Sequence, residues 1–180
     1  EDSNGEGDLV NNWTAIMDVY YPVGSAGKKR SLIDVVTAEW VAGAADAEFY
    51  VSAANAVGTS GLDFGNVTPG EWHRIAIAIN IEGLWGKVYI DGQHVGSLTA
   101  PEDSLDGRWS LDTAFEQLVT FFNDDNNESE AVFVSSIQLR FESLNSGQIL
   151  ALGGAAAAGV PVELPPVPSF VDLWTPSGKY

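Results

Sequence analysis

Apolar and polar residues alternate along most of the chain, and this pattern predicts β-strands. In residues 12–22, Trp13, Ala15, Met17 and Val19 fall on one side of an extended chain and the residues between them fall on the other. This period of two is that of a strand, because successive side chains point to opposite faces. Further segments that predict strands lie at residues 31–36, 47–53, 56–60, 72–81, 87–90, 94–99, 116–122 and 131–141. Together they predict about eight to ten short strands.

Residues 72–99, WHRIAIAINIEGLWGKVYIDGQHVGSLT, predict a β-meander. Gly83 turns the chain after the first of its three strands. Asp91 and Gly92 both tolerate the positive φ of a type I′ turn, so this pair is a strong hairpin signal. Three antiparallel strands so close in sequence form a meander rather than a parallel crossover unit.

Residues 144–154, LNSGQILALGG, predict one short helix. Asn145 can cap its start, Gln148 three residues later completes a capping box, and Gly153 and Gly154 end it. The predicted fold class is therefore all-β: an antiparallel two-sheet β-sandwich (jelly roll) with one short helix near the C-terminus.

The sandwich domain is predicted to span residues 1–159. A chain of 180 residues with 45% hydrophobic residues can bury the core of one such domain. Residues 160–180 are rich in proline. They are predicted to form a linker, an edge strand or the start of a neighbouring domain.

Charge and cysteine content exclude several classes of function. The net charge of −17 repels phosphate backbones, which argues against nucleic-acid binding and against anionic membrane surfaces. No apolar run approaches the roughly 18 residues of a spanning helix, so membrane insertion is not expected. The absence of cysteine removes disulfides, thiolate zinc sites and cysteine nucleophiles. The acid excess serves solubility or, in part, the binding of a hard cation such as calcium.

Four segments carry longer motifs, at residues 11–22, 69–81, 87–97 and 121–154. They contain W-H-R-I-A-I, V-Y-I-D-G-Q-H-V-G, V-S-S-I-Q-L-R and A-L-G-G in this order. In their order the segments resemble the concanavalin A-like lectin/glucanase superfamily and, within it, the bacterial laminin-G-like jelly-roll domains. The resemblance implies the fold and says little about function, because folds of this kind carry many tasks.

The resemblance fails at the start of the chain. Such domains usually begin with a strand before the one at residues 13–19, whereas residues 1–11 are polar here. Unless the sequence simply begins late, the C-terminal residues 170–174 or another chain are expected to cover that edge, since an unpaired edge strand promotes aggregation.

No catalytic residues are predicted, and the chain is not expected to be an enzyme. Glucanases of the resembled superfamily carry E-x-D-x-x-E on one strand, which places the nucleophile and the general acid on one face. The pattern does not occur in this sequence. His73 and His94 are expected to be structural, because no serine in a G-x-S-x-G setting and no third group accompany them.

The acidic stretch NDDNNESE, residues 123–130, is the candidate metal site. Calcium prefers six to eight oxygen ligands, and this stretch could supply them from Asp124, Asp125, Asn127, Glu128 and Glu130. The spacing is not that of an EF-hand loop, and the alternative is a solvated hairpin tip. The resembled sandwiches often bind calcium at a sheet rim.

Six tryptophans provide the candidate ligand-binding residues. Trp40, Trp85 and Trp109 lie near predicted loops or turns, where an exposed ring could stack on the apolar face of a sugar. The alternative is that these rings anchor loops into the core. Tyr20, Tyr21 and Tyr50 are weaker candidates. The remaining tryptophans lie in apolar strand patterns that predict core or edge packing: Trp13, Trp72 and Trp174.

The expected function is that of a non-catalytic binding or adhesion module of a larger extracellular or cell-surface protein. Its expected ligand is carbohydrate, and its expected cofactor is calcium. The main alternative is a structural protein–protein interaction module in a surface assembly, whose sheet edge is completed by another segment or chain. A third is an accessory domain of a polysaccharide-degrading enzyme or a phosphatase.

Calcium binding at the acidic stretch predicts a thermal shift. A ligand present at a hundred times its Kd stabilises the native state by about 2.7 kcal/mol, which moves the midpoint of a domain of this size by several degrees. We expect calcium to raise the melting temperature, and Asp124→Ala or Asp125→Ala to abolish the effect. No shift in protein shown to be free of metal at the start would reduce the stretch to a solvated hairpin.

Overall fold

The structure is a computed structural model that describes residues 9–36, 47–59, 61–99, 111–112, 118–123 and 129–167. Its strands and helix are β1 (Leu9–Val10), β2 (Asn12–Tyr20), β3 (Arg30–Val36), β4 (Phe49–Val51), β5 (Val57–Thr59), β6 (Leu62–Phe64), β7 (Trp72–Asn80), β8 (Trp85–Ile90), β9 (Gln93–Thr99), β10 (Leu111–Asp112), β11 (Leu118–Phe121), β12 (Phe133–Arg140) and α1 (Ser146–Leu152). A 3-10 turn at Val23–Ser25 follows β2.

Two antiparallel five-stranded sheets make up the described fold. Sheet I has the order β11-β3-β4-β5-β6, sheet II has the order β12-β2-β7-β8-β9, and β1 pairs with β10. The predicted all-β sandwich is confirmed. A core lies between the sheets because the alternation places one apolar row of each strand inward. Trp13 and Met17 of sheet II and Leu32, Phe49 and Val57 of sheet I belong to it.

The predicted meander forms β7, β8 and β9. Asp91 and Gly92 have φ values of 52° and 80°, as the predicted type I′ turn requires. Gly92 also lies against the end of α1, where an added Cβ would come within 3.2 Å of the Cα of Gly153. The tight hairpin therefore allows the helix to approach the sheet closely.

A second apolar cluster lies on the outer face of sheet II, under α1. Ile149 and Leu152 of the helix, with Leu144 and Val160, pack on outward-facing residues of β2, β7 and β8. Asn145 accepts a hydrogen bond from the Gln148 amide while the Gln148 side chain accepts one from the Asn145 amide, which confirms the predicted capping box. Covering the outer face in this way buries both sides of β2 and β7. The predicted domain boundary after residue 159 stays a prediction.

A buried ion pair sits beneath this covered face. Arg74 is 2% exposed and Asp18 is 0% exposed, and they lie opposite each other on β7 and β2. The guanidinium donates to both carboxylate oxygens, with Nε to Oδ1 at 2.7 Å and Nη2 to Oδ2 at 2.8 Å. It also donates to the backbone carbonyls of Leu152 and Gly159. One side chain thereby joins two strands, the end of α1 and the segment that follows it.

Removal of Asp18 should destabilise the domain strongly. Asp18→Asn leaves the buried Arg74 without a counter-charge, and breaking a buried pair on one side costs about 3–5 kcal/mol. Urea unfolding should show this loss as a lower midpoint with an unchanged slope. Asp63→Asn is the matched control, because the Asp63 side chain is exposed on β6, and it should stay within about 0.5 kcal/mol of wild type.

Candidate ligand-binding surface

Three aromatic side chains form a row across sheet II, which we call the aromatic row: Phe133, Tyr20 and Trp72. Tyr20 lies directly opposite Phe133 of β12 and Trp72 of β7. Its ring centroid is 5.9 Å from that of Phe133 and 5.7 Å from that of Trp72. Phe133 is 61% exposed and Trp72 is 45% exposed, so the row offers apolar ring surface to solvent.

A shallow groove runs beside the row. Trp72, Ser135 and the three alanines Ala155, Ala156 and Ala157 line it, and it encloses about 280 Å³. This volume is near the lower end of the range of about 300–1,000 Å³ for ligand pockets, which fits one sugar-sized group rather than a large cofactor. Most of its lining is apolar, and the Ser135 hydroxyl provides a polar group.

A β-bulge places Ser135 in the groove. The pairing of β12 with β2 shifts between Val134 and Ser136, so Ser135 is the extra residue of the bulge. Bulges redirect a side chain and are common beside functional sites. The same shift leaves Val134 opposite the core residue Val19 while Phe133 remains in the aromatic row.

Residues 155–157 form one side of the groove, which we call the alanine wall, and this wall is fixed at both of its ends. Arg74 binds the carbonyl of Leu152 on one side of the wall and the carbonyl of Gly159 on the other. The Val160 amide donates to the Ser136 hydroxyl at 3.0 Å, which attaches the same segment to β12. The groove is therefore held by hydrogen bonds to the sheet on which Trp72 stands.

His73 does not line the groove, and both of its ring nitrogens are hydrogen-bonded elsewhere. Its Nε2 accepts a hydrogen bond from the Thr68 amide at 3.0 Å, so Nδ1 carries the proton and donates to the Asp91 carboxylate at 2.7 Å. Asp91 also accepts from the Arg74 amide at 2.8 Å. His94 is exposed and contacts the Ser97 hydroxyl at 2.9 Å.

Of the three tryptophans predicted to bind ligand, only Trp85 can be placed. It is half-buried against the second apolar cluster, and the Lys87 ammonium lies 4.6 Å from its ring centroid. Trp85 lies on β8, whereas the groove is lined from β7, β12 and residues 155–157. Trp40 and Trp109 lie outside the described residues. Ligand binding by these three residues stays a prediction.

The predicted calcium ligands can be compared with the structure at one position. Glu130 accepts a hydrogen bond from the Lys28 ammonium at 2.6 Å, so a cation bound there would compete with Lys28. Asp124, Asp125, Asn127 and Glu128 lie outside the described residues. Within the described ranges, no group of three His, Asp or Glu residues is arranged to hold a metal ion.

The sequence alone did not reveal the groove, because the groove depends on which face of β7 carries Trp72 and on how β12 pairs with β2. Trp13 is buried as predicted, but Trp72 lies on the face opposite Ile75, Ile77 and Ile79, and much of its ring is exposed. Alternation puts Ile75 and His73 on the inner face of the strand, so it predicts that Trp72 points outward. The pairing of Phe133 with Tyr20 joins strands 113 positions apart, and no local pattern reveals it.

No protein-family model and no curated protein matches the sequence. The fold does match solved structures. The structure "Ruminococcus gnavus IT-sialidase CBM40 bound to alpha2,3 sialyllactose" matches at a TM-score of 0.56 and 15% identity, over 80% of this chain and 83% of that one. A heptameric SAP-like pentraxin from Limulus polyphemus matches at 0.54 and 12% identity, over 81% and 70%.

A Trypanosoma rangeli sialidase matches at a TM-score of 0.50 and 16% identity over 79% of this chain. The chain spans only 22% of the length of that sialidase. At these identities the matches concern the fold alone, which is a β-sandwich in this chain. In the described residues no helix has the length and apolarity needed to cross a membrane.

Proposed function

We propose that the chain is a non-catalytic carbohydrate-binding module of a larger extracellular or cell-surface protein. The observation that carries this proposal is the exposed aromatic row beside an apolar groove of sugar size. The apolar face of a pyranose packs on an aromatic ring, and Trp offers the largest such surface. Ser135 supplies a hydroxyl that can orient a sugar hydroxyl.

The comparisons support this proposal at the level of the fold. One matching structure is a CBM40 module bound to a sialylated sugar and covers most of both chains. The laminin-G-like character, the extracellular location and the support by calcium remain parts of the proposal.

The two histidines support a binding role over a catalytic one. His73 has both ring nitrogens engaged by Thr68 and Asp91, and His94 contacts only Ser97 among the described hydrogen bonds. A general base must reach a substrate with a free ring nitrogen. His73 lacks one, and His94 lies on β9, away from the strands that line the groove.

Replacement of Trp72 should separate binding from stability. Trp72→Ala removes one ring of the aromatic row and the aromatic side of the groove. Affinity for the glycan found in a screen should therefore fall by at least about tenfold. The melting temperature should change little, because the side chain is 45% exposed. Titration calorimetry and thermal unfolding measure the two effects.

Trp85→Ala is the control for this experiment. It should lower stability, because Trp85 packs on the second apolar cluster, and it should leave affinity unchanged. Loss of affinity on replacing Trp85 but not Trp72 would move the site to β8. Loss of stability alone in both variants would contradict the proposed function.

A second candidate function is supported by the exposed inner side of β12. Val134, Ile137 and Leu139 lie opposite core residues of β2, yet they are 38%, 43% and 38% exposed. In the described part of the chain β12 is the last strand of sheet II. A strand from a second copy of the chain could extend the sheet and cover these side chains.

Solution scattering tests this second candidate. The net charge of −17 opposes association, and salt at about 1 M shortens the screening length to about 3 Å. We expect a doubled scattering mass in high salt, which Ile137→Asp should abolish and Leu150→Asp should not, because Leu150 is an exposed apolar residue of α1. A compact monomer under all conditions would eliminate assembly through β12.

A further inference from the structure

We infer that the groove selects uncharged sugar units and excludes sialylated, uronic and sulfated ones. This inference rests on the proposed carbohydrate-binding function and concerns the class of sugar. An anionic sugar that leaves water needs a cationic partner, because burying an unpaired carboxylate is strongly unfavourable. The positions of the cationic side chains that the structure describes therefore indicate which sugars the groove can accept.

The chain has only eight lysines and arginines. Arg108 and Lys179 lie outside the described residues. The three described lysines are all engaged elsewhere. Lys28 binds Glu130 at 2.6 Å, Lys29 lies 4.3 Å from the ring centroid of Tyr50, and Lys87 lies 4.6 Å from that of Trp85.

Arg30 is buried, and its contacts are with neutral groups. It donates to the Ser25 hydroxyl, the Ser52 carbonyl and the Asn55 side chain, and it lies over the ring of Tyr21. Burial lowers the pKa of this guanidinium, and Tyr21 and the Glu130 carboxylate only partly oppose that shift. Arg30 therefore has no exposed nitrogen to offer a ligand.

Arg140 stands on β12, five residues beyond Ser135, and two of its three guanidinium nitrogens are hydrogen-bonded. Its Nε and Nη2 donate to the Gln138 side chain, and Nη2 also donates to the carbonyls of Pro161 and Val162. These contacts hold residues 160–162 on the outer face of β12. Release of Arg140 toward a ligand would break them.

Arg74 is two residues from Trp72 and on the same face of β7, but it lies below the alanine wall. It is 2% exposed, and its nitrogens are bound to Asp18, Leu152 and Gly159. The adjacent charge that does reach the surface is negative, because Glu71 precedes Trp72 and is exposed. With a net charge of −17 overall, the field at the groove disfavours anions.

A glycan array tests the inference with the whole chain. It should carry neutral hexose and pentose oligomers, N-acetylhexosamine oligomers, 3′-sialyllactose beside lactose, oligogalacturonates and sulfated glycans. Binding is measured in 0.15 M and in 1 M NaCl. At the higher salt, long-range repulsion is screened. Exclusion of anionic glycans that persists there would reflect the lack of a cationic side chain among the described residues that line the groove.

Two variants tie any binding to the groove. Ala156→Phe fills the space beside Trp72 and should weaken binding by at least tenfold. Ala158→Phe is the matched control, since Ala158 is exposed in the same segment but does not line the groove. It should bind as wild type does.

The expected result is binding to neutral glycans at both salt concentrations, lost in Ala156→Phe and kept in Ala158→Phe. Binding of a sialylated, uronic or sulfated glycan that depends on Ala156 would overturn the inference and leave the carbohydrate-binding function standing. If affinity for neutral glycans is unchanged in Ala156→Phe, the inference is overturned as well, because the binding site then lies elsewhere. No binding to any glycan would instead contradict the proposed function itself.

Discussion

The outer face of sheet II is organised around the buried guanidinium of Arg74. A cation with almost no solvent contact is tolerable only when its donors are paired. Asp18 neutralises the charge with two hydrogen bonds, and the carbonyls of Leu152 and Gly159 accept one each. These carbonyls belong to the end of α1 and to the loop after it, neither of which has a strand partner. Arg74 thus attaches this irregular segment to β7, while Ser136 and Arg140 attach the residues that follow to β12.

The groove is a consequence of that attachment. Residues 155–157 lie between the two carbonyls that Arg74 holds, so their small side chains are presented toward Trp72 at a fixed distance from β7. Alanine suits this position because a larger side chain would occupy the space that the proposed ligand needs. The site is thus built on paired strands and a doubly anchored loop, an arrangement more rigid than a free surface loop.

Local sequence patterns were sufficient for the elements and insufficient for the site. The meander, the Asp91–Gly92 turn and the capping box of Asn145 depend on residues a few positions apart, and all three formed as predicted. The aromatic row depends on the pairing of β12 with β2 and on a bulge at Ser135. Register between distant strands is set by packing of the whole sandwich, so alternation could orient Trp72 but could not find its neighbours.

Hydrogen bonds join the W-H-R motif at residues 72–74 to the D-G turn at residues 91–92. Asp91 of the turn binds the His73 ring and the Arg74 amide, which fixes the hairpin against the start of β7. Arg74 then fixes the loop after α1, while Trp72 at the first position of the strand is the member of the motif that faces solvent. The ring nitrogens of His73 and the guanidinium of Arg74 are hydrogen-bonded within the fold, so neither group is available to bind a ligand. The carbohydrate recognition that we propose at this surface therefore rests on ring stacking and hydroxyl contacts, because neither of these two side chains can offer it a charge.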